Sequence, residues 1–236
     1  MDYMLVILSR RGEAPREDVG MAEMGKFAAE LAQSGRLRGG APLHPEAQGA
    51  RLRVRNGRAE VVDGPFTESK EIVGGYFMFE AASREEALEL AQRCPAARAE
   101  LVQLNEAYVD REGETTDGPR WLLLFLQTPA GVGDPDGSRY REMTKWVDEL
   151  KAEKRHEECA SLAAPGSAPG ARIEVRAGRT MIVDGPFTES KEVIGGFAIA
   201  VANDRDEALS LARRCPHARW GEIEIRQVMK VPGPPM

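Results

Sequence analysis

The sequence DGPFTESKE occurs twice in this chain of 236 residues. The first copy runs from Asp63 to Glu71, and an identical second copy begins 121 residues later and runs from Asp184 to Glu192. Because this interval is about half of the chain, the repeat constrains the fold more than any single short motif does. It predicts that the protein consists of two copies of one structural unit.

Weaker similarity between the two copies extends over almost the whole chain. The matching segments, first copy before second, are MLVIL and LLLFL, MGKFAAEL and MTKWVDEL, RLRVRNGR and RIEVRAGR, and residues 72–95 and 193–216. We therefore expect a first repeat over residues 1–108 and a second over residues 120–236. The segment between them, 109–119, is polar and carries glycine and proline, which is typical of a surface linker.

Each repeat is predicted to contain two helices. The first has apolar residues at steps of three and four positions, the pattern of an amphipathic helix. These residues are Met21, Met24, Phe27, Ala28 and Leu31 in one copy, and Tyr140, Met143, Trp146, Val147 and Leu150 in the other. The second helix is expected to begin after Ser83 or Asp204, each followed three residues later by a glutamate in the capping-box arrangement. It should end near the Cys-Pro pairs that begin at Cys94 and Cys215.

The strands are predicted from apolar runs and turn residues. They comprise an opening strand at Met4–Leu8, a hairpin over Leu52–Asp63, an apolar strand over Val73–Ala81 and a last strand over Glu100–Asn105, with Glu222–Gln227 matching the last. The hairpin is expected to turn at Asn56-Gly57, because both residue types tolerate positive φ, and at Ala177-Gly178 in the second copy. Gly74-Gly75 inside a strand predicts a bulge or a close approach by another segment.

The resulting order is strand, helix, hairpin, strand, helix, strand, which predicts an α+β fold with two helices beside an antiparallel sheet. A single sheet of this kind leaves one face uncovered. Two units placed face to face would bury both sheets. We therefore expect an intramolecular pseudo-dimer, with the two repeats related by pseudo-twofold symmetry.

Charge and hydropathy exclude some classes of function. The net charge of −6 argues against direct nucleic-acid binding, which needs clustered Lys and Arg. The longest apolar run near Leu122 is too short to cross a bilayer. The N-terminus places an acid before its apolar run and arginines after it, the reverse of a secretory signal. We expect a cytoplasmic protein without a membrane segment.

Cysteine, histidine and tryptophan are interpreted as structural. Three widely spaced cysteines, Cys94, Cys159 and Cys215, argue against a disulfide framework. The three histidines, His44, His156 and His217, have no counterparts in the opposite copy, so no metal site is expected. The tryptophans, Trp121, Trp146 and Trp220, are expected in the core, and the absence of nucleotide-binding motifs predicts no cofactor.

The repeated polar loop has two interpretations, which do not exclude each other. In the first, the loop is a clasp between the repeats. Lys70 would pair with Glu68 or with an acid across the symmetry axis, and Asp63 would cap backbone N–H groups. In the second, the loop forms a small polar pocket. Asp63 or Glu71 would then act as an acid or base, Lys70 would hold an anionic group, and Thr67 or Ser69 would donate hydrogen bonds.

The loop, the following Gly-Gly pair, the EAL helix and the RCP ending together resemble the YCII-related, DGPF-domain family, here as a tandem duplication. The resemblance covers both halves of the chain. It implies two ferredoxin-like repeats with antiparallel sheets packed face to face as an intramolecular dimeric α+β barrel. The wider superfamily includes small isomerases and related enzymes that bind substrate in the barrel, and the YCII-related branch has been suggested to use a His–Asp pair.

The resemblance carries a set of site residues onto this chain. It implies Asp63 and Asp184 as catalytic residues, and His44 as the histidine partner in the first repeat. In the second repeat Leu162-Ala163-Ala164 fills the place of His44, so the two pockets should be unequal. The residues expected to bind ligand, from the loop and the resemblance together, are Thr67, Lys70, Glu71, His44, Thr188, Lys191 and Glu192.

Two functions are compatible with these patterns. The first is a small-molecule-binding or regulatory module, linked through the family's gene neighbourhood to sigma-factor-dependent transcription. Its partners would be a small anionic ligand and a sigma factor or another protein. The alternative is a cofactor-free enzyme of isomerase or lyase type that uses the acid and the lysine of the loop.

Overall fold

In the computed structural model, the described residues are 1–128, 134, 136–162, 170–185, 187 and 192–230. The first repeat contains β1 (Asp2–Arg10), α1 (Met21–Gln33), β2 (Leu37–Pro42), β3 (Ala50–Arg55), β4 (Arg58–Asp63), β5 (Glu71–Glu80), α2 (Arg84–Arg93), α3 (Ala96–Ala99) and β6 (Leu101–Asp110). The second contains β7 (Arg120–Gln127), α4 (Ser138–Ala152), β8 (His156–Ser161), β9 (Ala171–Arg176), β10 (Arg179–Asp184), β11 (Val193–Val201), α5 (Arg205–Arg214) and β12 (Glu222–Gln227). A short 3-10 helix, Pro216–Arg219, takes the place of α3 in the second repeat.

Four strands from each repeat form an antiparallel barrel. The strand order is β2-β5-β1-β6 in the first repeat and β8-β11-β7-β12 in the second. The two sets join where Tyr108–Asp110 of β6 pairs with β8. They join again on the other side, where Leu43, just after β2, bridges to Val228 beyond β12. The α+β fold of two repeats around one barrel, expected from the sequence, is confirmed.

The hairpins are exchanged between the repeats. Strand β3 of the first repeat pairs with β12 of the second through Ala50–Leu52, and β9 pairs with β6 through Ala171–Ile173. The sequence prediction kept each hairpin within its own unit and omitted β2 and β8. That error has a physical reason, because LRGGAP and HEECAS lack the alternating apolar pattern that identifies a strand.

Buried side chains form three clusters. One fills the barrel interior and contains residues from both repeats, including Met4, Tyr76 and Phe197. The other two lie between each sheet and its helices. Each of these outer clusters includes the exchanged hairpin of the opposite repeat, with Leu52 in the second repeat's cluster and Ile173 in the first's. The exchange therefore completes the core of both halves.

The hairpin turns and the N-terminal caps of the second helices, which were predicted from the sequence, are confirmed. Asn56 and Gly57 both have positive φ, at 49° and 72°, and the Ala177-Gly178 turn repeats this geometry. Ser83 accepts a hydrogen bond of 3.2 Å from the backbone N–H of Glu86, and Asp204 caps α5 in the same way. The β1–β5 register shifts at Gly74, as expected for a bulge.

Burial along α1 and α4 begins one turn later than predicted. Met21 and Tyr140, the first residues of the two predicted apolar stripes, are 59% and 73% exposed. Both lie in the first turn of their helix, which projects beyond the packed layer. The following apolar positions meet the sheet, so Phe27 and Trp146 are buried. Among the described helices, none combines the length and the apolar character that a bilayer span requires.

Candidate functional site

The aspartates of the two repeated loops pair with arginines of the opposite repeat. Asp63, at the end of β4, forms an ion pair with Arg205 at the start of α5. Its counterpart Asp184 pairs with Arg84 at the start of α2. The aspartate side chains are 74% and 58% exposed, so these carboxylates lie at the outer boundary between the repeats.

The glutamates that end the repeated loops also contact the opposite repeat. Glu71 accepts a hydrogen bond of 2.8 Å from Arg172, whose guanidinium lies 4.4 Å from the centre of the Phe187 ring. In the same way Glu192 pairs with Arg51 at 3.1 Å, and Arg51 lies 4.6 Å from the ring centre of Phe66. Each arginine therefore stacks on the phenylalanine of its own repeat and binds the glutamate of the other.

The first loop is also fixed from within its own repeat. Arg11 donates hydrogen bonds to the carbonyls of Ser69 and Phe66 at 2.9 and 3.0 Å, and it pairs with Glu46 at 2.7 Å. Glu46 in turn accepts a hydrogen bond of 3.0 Å from the backbone N–H of Phe66. The Phe66–Ser69 turn is therefore held by one buried ion pair.

The remaining predicted loop residues take no part in these contacts. Thr67 and Lys70 are exposed, and within the described part of the chain Lys70 forms no ion pair. Where the clasp interpretation expected a lysine across the symmetry axis, the cations are arginines. Thr188 and Lys191 lie outside the described residues. His44 is held through its backbone, because its N–H donates to the carbonyl of Gln227 at 2.9 Å.

A large cavity lies elsewhere, in the first repeat. Its volume is about 1220 Å³. It extends from the space between α1 and the sheet, around β2, to one end of the barrel. The apolar part is lined mainly by small or flexible side chains: Ile7, Met24, Gly25, Ala28, Ala96 and Ala99. We refer to it as the first-repeat cavity. Neither Asp63, Asp184, His44 nor any described residue of the repeated loops lines it.

Larger side chains stand at three matching positions of the second repeat. Phe125 stands where the first repeat has Ile7, His217 where it has Ala96, and Trp220 where it has Ala99. The ring centres of Phe125 and His217 are 5.1 Å apart, and those of His217 and Trp220 are 6.1 Å apart. The two repeats therefore differ in the size of the side chains at these three positions. The inequality expected at the repeated loops stays a prediction, because most of the second loop lies outside the described residues.

His217 is bound as a neutral ring within this packing. The indole N–H of Trp220 donates to Nδ1 of His217 at 3.1 Å, which leaves Nε2 to donate to the carbonyl of Leu126 at 2.9 Å. Burial lowers the pKa of His217 and so favours the neutral form. The contacts of His217 are therefore those of a core residue.

The segment before α1 covers part of the first-repeat cavity. Residues 15–19 belong to its lining. Within this segment, the backbone N–H of Arg16 donates to the carbonyl of Ala99 at 2.9 Å. The guanidinium of Arg16 reaches the carbonyl of Arg98 at 3.3 Å and lies 3.5 Å from Glu174. These contacts tie the covering segment to α3 and to the exchanged hairpin.

The barrel end of the cavity is polar, and Glu158 on β8 belongs to its lining. The Glu158 side chain is 7% exposed, and its Oε1 has no hydrogen-bond partner among the described residues. Glu158 nevertheless forms an ion pair with Arg111, whose Nη2 lies 3.0 Å from this oxygen. Burial raises the pKa of Glu158 to about 7, and the positive charge of Arg111 offsets only part of that effect.

Tyr76 adds a second titratable group that lines the same cavity. Its side chain is buried in the barrel interior, with its ring centre 6.5 Å from that of its counterpart Phe197. Burial raises the pKa of Tyr76, and the negative charge of Glu158 raises it further. The tyrosine is therefore a neutral hydroxyl, available for hydrogen bonding at the polar end of the cavity.

Sequence reasoning missed Glu158 and the cavity. Strand β8, on which Glu158 lies, was not predicted. The available signal was the alignment of the repeats, in which Glu158 opposite Ile199 corresponds to Gly39 opposite Met78. No cluster of three or more His, Cys, Asp or Glu in the described part of the chain is arranged to hold a metal ion.

Comparison with known protein families agrees with the repeat. The model of the YCII-related domain matches residues 1–107 and again residues 120–232. An uncharacterized protein of Rhizobium meliloti (strain 1021) is 35% identical over 72 residues, which is 30% of this chain and 58% of that protein. A crystal structure described as a "putative chlorite dismutase" aligns with 97% of this chain and 94% of its own, at 8% identity and a TM-score of 0.35. Because the family model covers both repeats, the chain belongs to the YCII-related domain family, as two such domains in tandem.

Proposed function

We propose that the protein is a small-molecule-binding module and that its ligand places an apolar body in the first-repeat cavity. The observation that carries the proposal is the difference between the two repeats. The second repeat carries Phe125, His217 and Trp220 at the positions where the lining of the first-repeat cavity has Ile7, Ala96 and Ala99.

The size of the cavity supports this proposal. Protein interiors pack about as densely as organic crystals, and a void in a core destabilises the fold because its lining loses contacts. The volume of about 1220 Å³ lies just above the range of roughly 300 to 1000 Å³ that is typical of ligand pockets. The second repeat shows that larger side chains fit in this fold. A bound ligand would account for the first repeat having stayed open.

The repeated loops have a supporting part in this proposal. Asp63 and Glu71, with their counterparts Asp184 and Glu192, join the repeats and so maintain the frame around the cavity. Ligand binding by loop residues, and an isomerase or lyase reaction using Asp63 and Lys70, stay predictions. A sigma factor as protein partner also stays a prediction. Such a partner would respond to ligand binding by this module.

Filling the cavity tests the proposal directly. Ala99→Trp introduces the residue of the second repeat, and isothermal titration with 1-octanol measures binding of an apolar probe. We expect saturable binding by the wild-type protein and at least a tenfold loss of affinity in Ala99→Trp. Ala28→Met fills the cavity from α1 and should give the same loss of affinity for 1-octanol. This second variant tests the proposal even if Ala99→Trp does not fold.

A matched control uses the same substitution outside the cavity. Ala22 is an exposed residue of α1 that does not line the cavity, so Ala22→Trp should bind 1-octanol like the wild type. Circular dichroism and thermal unfolding would establish that all three variants are folded. Absence of binding to the wild type, or equal binding by folded Ala99→Trp, would refute the proposal.

A further inference from the structure

The outer edge of β2 lies open in the first-repeat cavity. On its inner side β2 pairs with β5, and among the described residues no strand pairs with its other side. Gly39, Gly40 and Ala41 of β2 line the cavity. Because these residues carry at most a methyl group, the backbone of the strand is accessible from the cavity. A strand edge of this kind can bind a further strand through its N–H and C=O groups.

The directions of the backbone groups along this edge follow from their neighbours. The carbonyl of Pro42 points away from β5, because it accepts a hydrogen bond of 2.9 Å from the N–H of Met229. The N–H of Leu43 points toward β5, since it donates to the carbonyl of Gly74 at 2.9 Å. These directions alternate along a strand, so the N–H and C=O of Gly40 point outward like the carbonyl of Pro42. Gly40 is partly exposed.

The equivalent edge of the second repeat already holds a strand. There β8 takes the place of β2, and the continuation of β6 pairs with it through Tyr108–Asp110. Asp110 lies opposite Cys159, which corresponds to Gly40 in the alignment of the repeats. Among the described residues, the continuation of β12 meets β2 only at its C-terminal end. A strand bound to β2 would therefore place a residue equivalent to Asp110 opposite Gly40.

The side chains of the strand bound to β8 point alternately to the two sides of the sheet. Val109 packs against the barrel cluster, and Asp110 forms an ion pair of 2.8 Å with Lys151 of α4. The position of Lys151 is taken in α1 by Ala32, which lines the first-repeat cavity. A strand on β2 would therefore meet an apolar space on its helix side, where the second repeat provides a cation.

The arginines that line the cavity have acid partners of their own. The pairs are Arg16 with Glu174, Arg38 with Glu80, Arg111 with Asp2, and Arg120 with Glu157. An anionic ligand would compete with these carboxylates for each guanidinium. A ligand that binds through uncharged backbone amides leaves the four pairs intact.

We propose that the outer edge of β2 binds a short extended peptide, whose backbone pairs with Gly40 and which places one apolar side chain beneath α1. This inference deepens the proposed function and rests on it. It gives the ligand class as an extended peptide, whereas the sequence led us to expect a small anion. In this kind of recognition, main-chain hydrogen bonds provide affinity, and spaces for alternate side chains provide selectivity.

The strand that occupies β8 supplies the test peptide. Acetyl-Ala-Tyr-Val-Leu-amide follows residues 107–110, with leucine in place of the aspartate that faces Lys151. Isothermal titration should show saturable binding of this peptide to the wild-type protein. The same peptide with an N-methylated leucine keeps the side chain but lacks the N–H that pairs with Gly40, so it should bind at least tenfold more weakly. Equal binding of the two peptides would overturn the assignment to the strand edge.

One substitution should shift the preference between two peptides. The second peptide ends in aspartate instead of leucine, and we expect the wild type to bind the leucine peptide at least tenfold more tightly. Ala32→Lys introduces the lysine that pairs with Asp110 in the second repeat, so this preference should fall at least fivefold. Ala22→Lys adds the same charge to α1 outside the cavity and should leave the preference unchanged. Equal preferences in both variants would contradict the proposed direction of the side chain.

Two further outcomes would overturn the peptide assignment without affecting the cavity. If the leucine peptide does not bind the wild type while 1-octanol binding still responds to Ala99→Trp, the peptide assignment fails and the proposed function stands. If the leucine peptide binds only after removal of residues 231–236, the edge belongs to the C-terminal segment of the chain itself.

Discussion

Arg172 of the second repeat donates a hydrogen bond of 2.8 Å to Glu71 of the first. The pair is largely buried, with side-chain exposures of 16% and 26%, and Phe187 covers one face of the guanidinium. The same arrangement recurs with Arg51, Glu192 and Phe66 on the other side of the pseudo-twofold axis. Phe66 and Glu71 of the repeated sequence, with their counterparts Phe187 and Glu192, therefore belong to two equivalent contacts between the repeats.

Removing this arginine should weaken the contact between the repeats. Arg172→Leu leaves Glu71 partly buried without its donor, and we expect the free energy of unfolding to fall by about 1 to 3 kcal/mol. Guanidinium chloride unfolding measures this change. Arg53→Ala is the matched control, because Arg53 pairs at 2.7 Å with Glu60 in an exposed position of the same kind of hairpin. There the loss should stay below about 1 kcal/mol, and equal losses would contradict a special role for Arg172.

The exchanged hairpins predict that one repeat does not form a folded monomer. A fragment of residues 1–117 lacks β9, whose Ala171 and Ile173 pack into the outer cluster of the first repeat. Its own hairpin lacks β12, the strand with which it pairs. Two copies of the fragment can satisfy both needs by exchanging hairpins with each other. Size-exclusion chromatography with light scattering should show a dimer, and a folded monomer would contradict the exchange.

Features that depend on neighbouring residues were predictable from the sequence. The turns at Asn56 and Ala177 and the caps at Ser83 and Asp204 follow from a few adjacent side chains, and their positions are confirmed. The exchange of hairpins was not predictable, because pairing within a repeat and between repeats requires the same local pattern. Glu158 was missed for a related reason, since its burial depends on strands from both repeats.

The two hairpin turns predict opposite effects of one substitution. Ala177 and Asn56 both have φ near 50°, a region that costs alanine about 1 kcal/mol and that asparagine tolerates better. Ala177→Asn should therefore raise the free energy of unfolding by about 0.5 to 1 kcal/mol. Asn56→Ala should lower it by a similar amount. Chemical denaturation of both variants measures the two changes in the free energy of unfolding. Changes of the same sign would show that factors other than φ dominate.

Glu158 should make the stability of the protein depend on pH in a defined direction. Burial raises its pKa in the folded state to about 7, from an ordinary value of 4.5. Between these two values the folded protein retains a proton that the unfolded chain has lost, so stability falls as pH rises through this window. Above pH 7 the folded protein must bury the ionised carboxylate of Glu158, so the full loss of stability is present. Below about pH 4.5 both states are protonated and the effect disappears.

Glu158→Gln removes this titration while keeping a side chain of similar shape. Relative to the wild type, we expect the variant to gain about 1 to 3 kcal/mol of stability at pH 8 and little at pH 5. Other titrating groups contribute to both proteins, so they cancel in the difference. Urea unfolding at half-unit steps between pH 5 and pH 8 would follow the change. A stability difference between variant and wild type that is constant across this range would mean that Glu158 does not titrate there. A stability difference that decreases toward pH 8 would mean that Arg111 stabilises the carboxylate more than burial disfavours it.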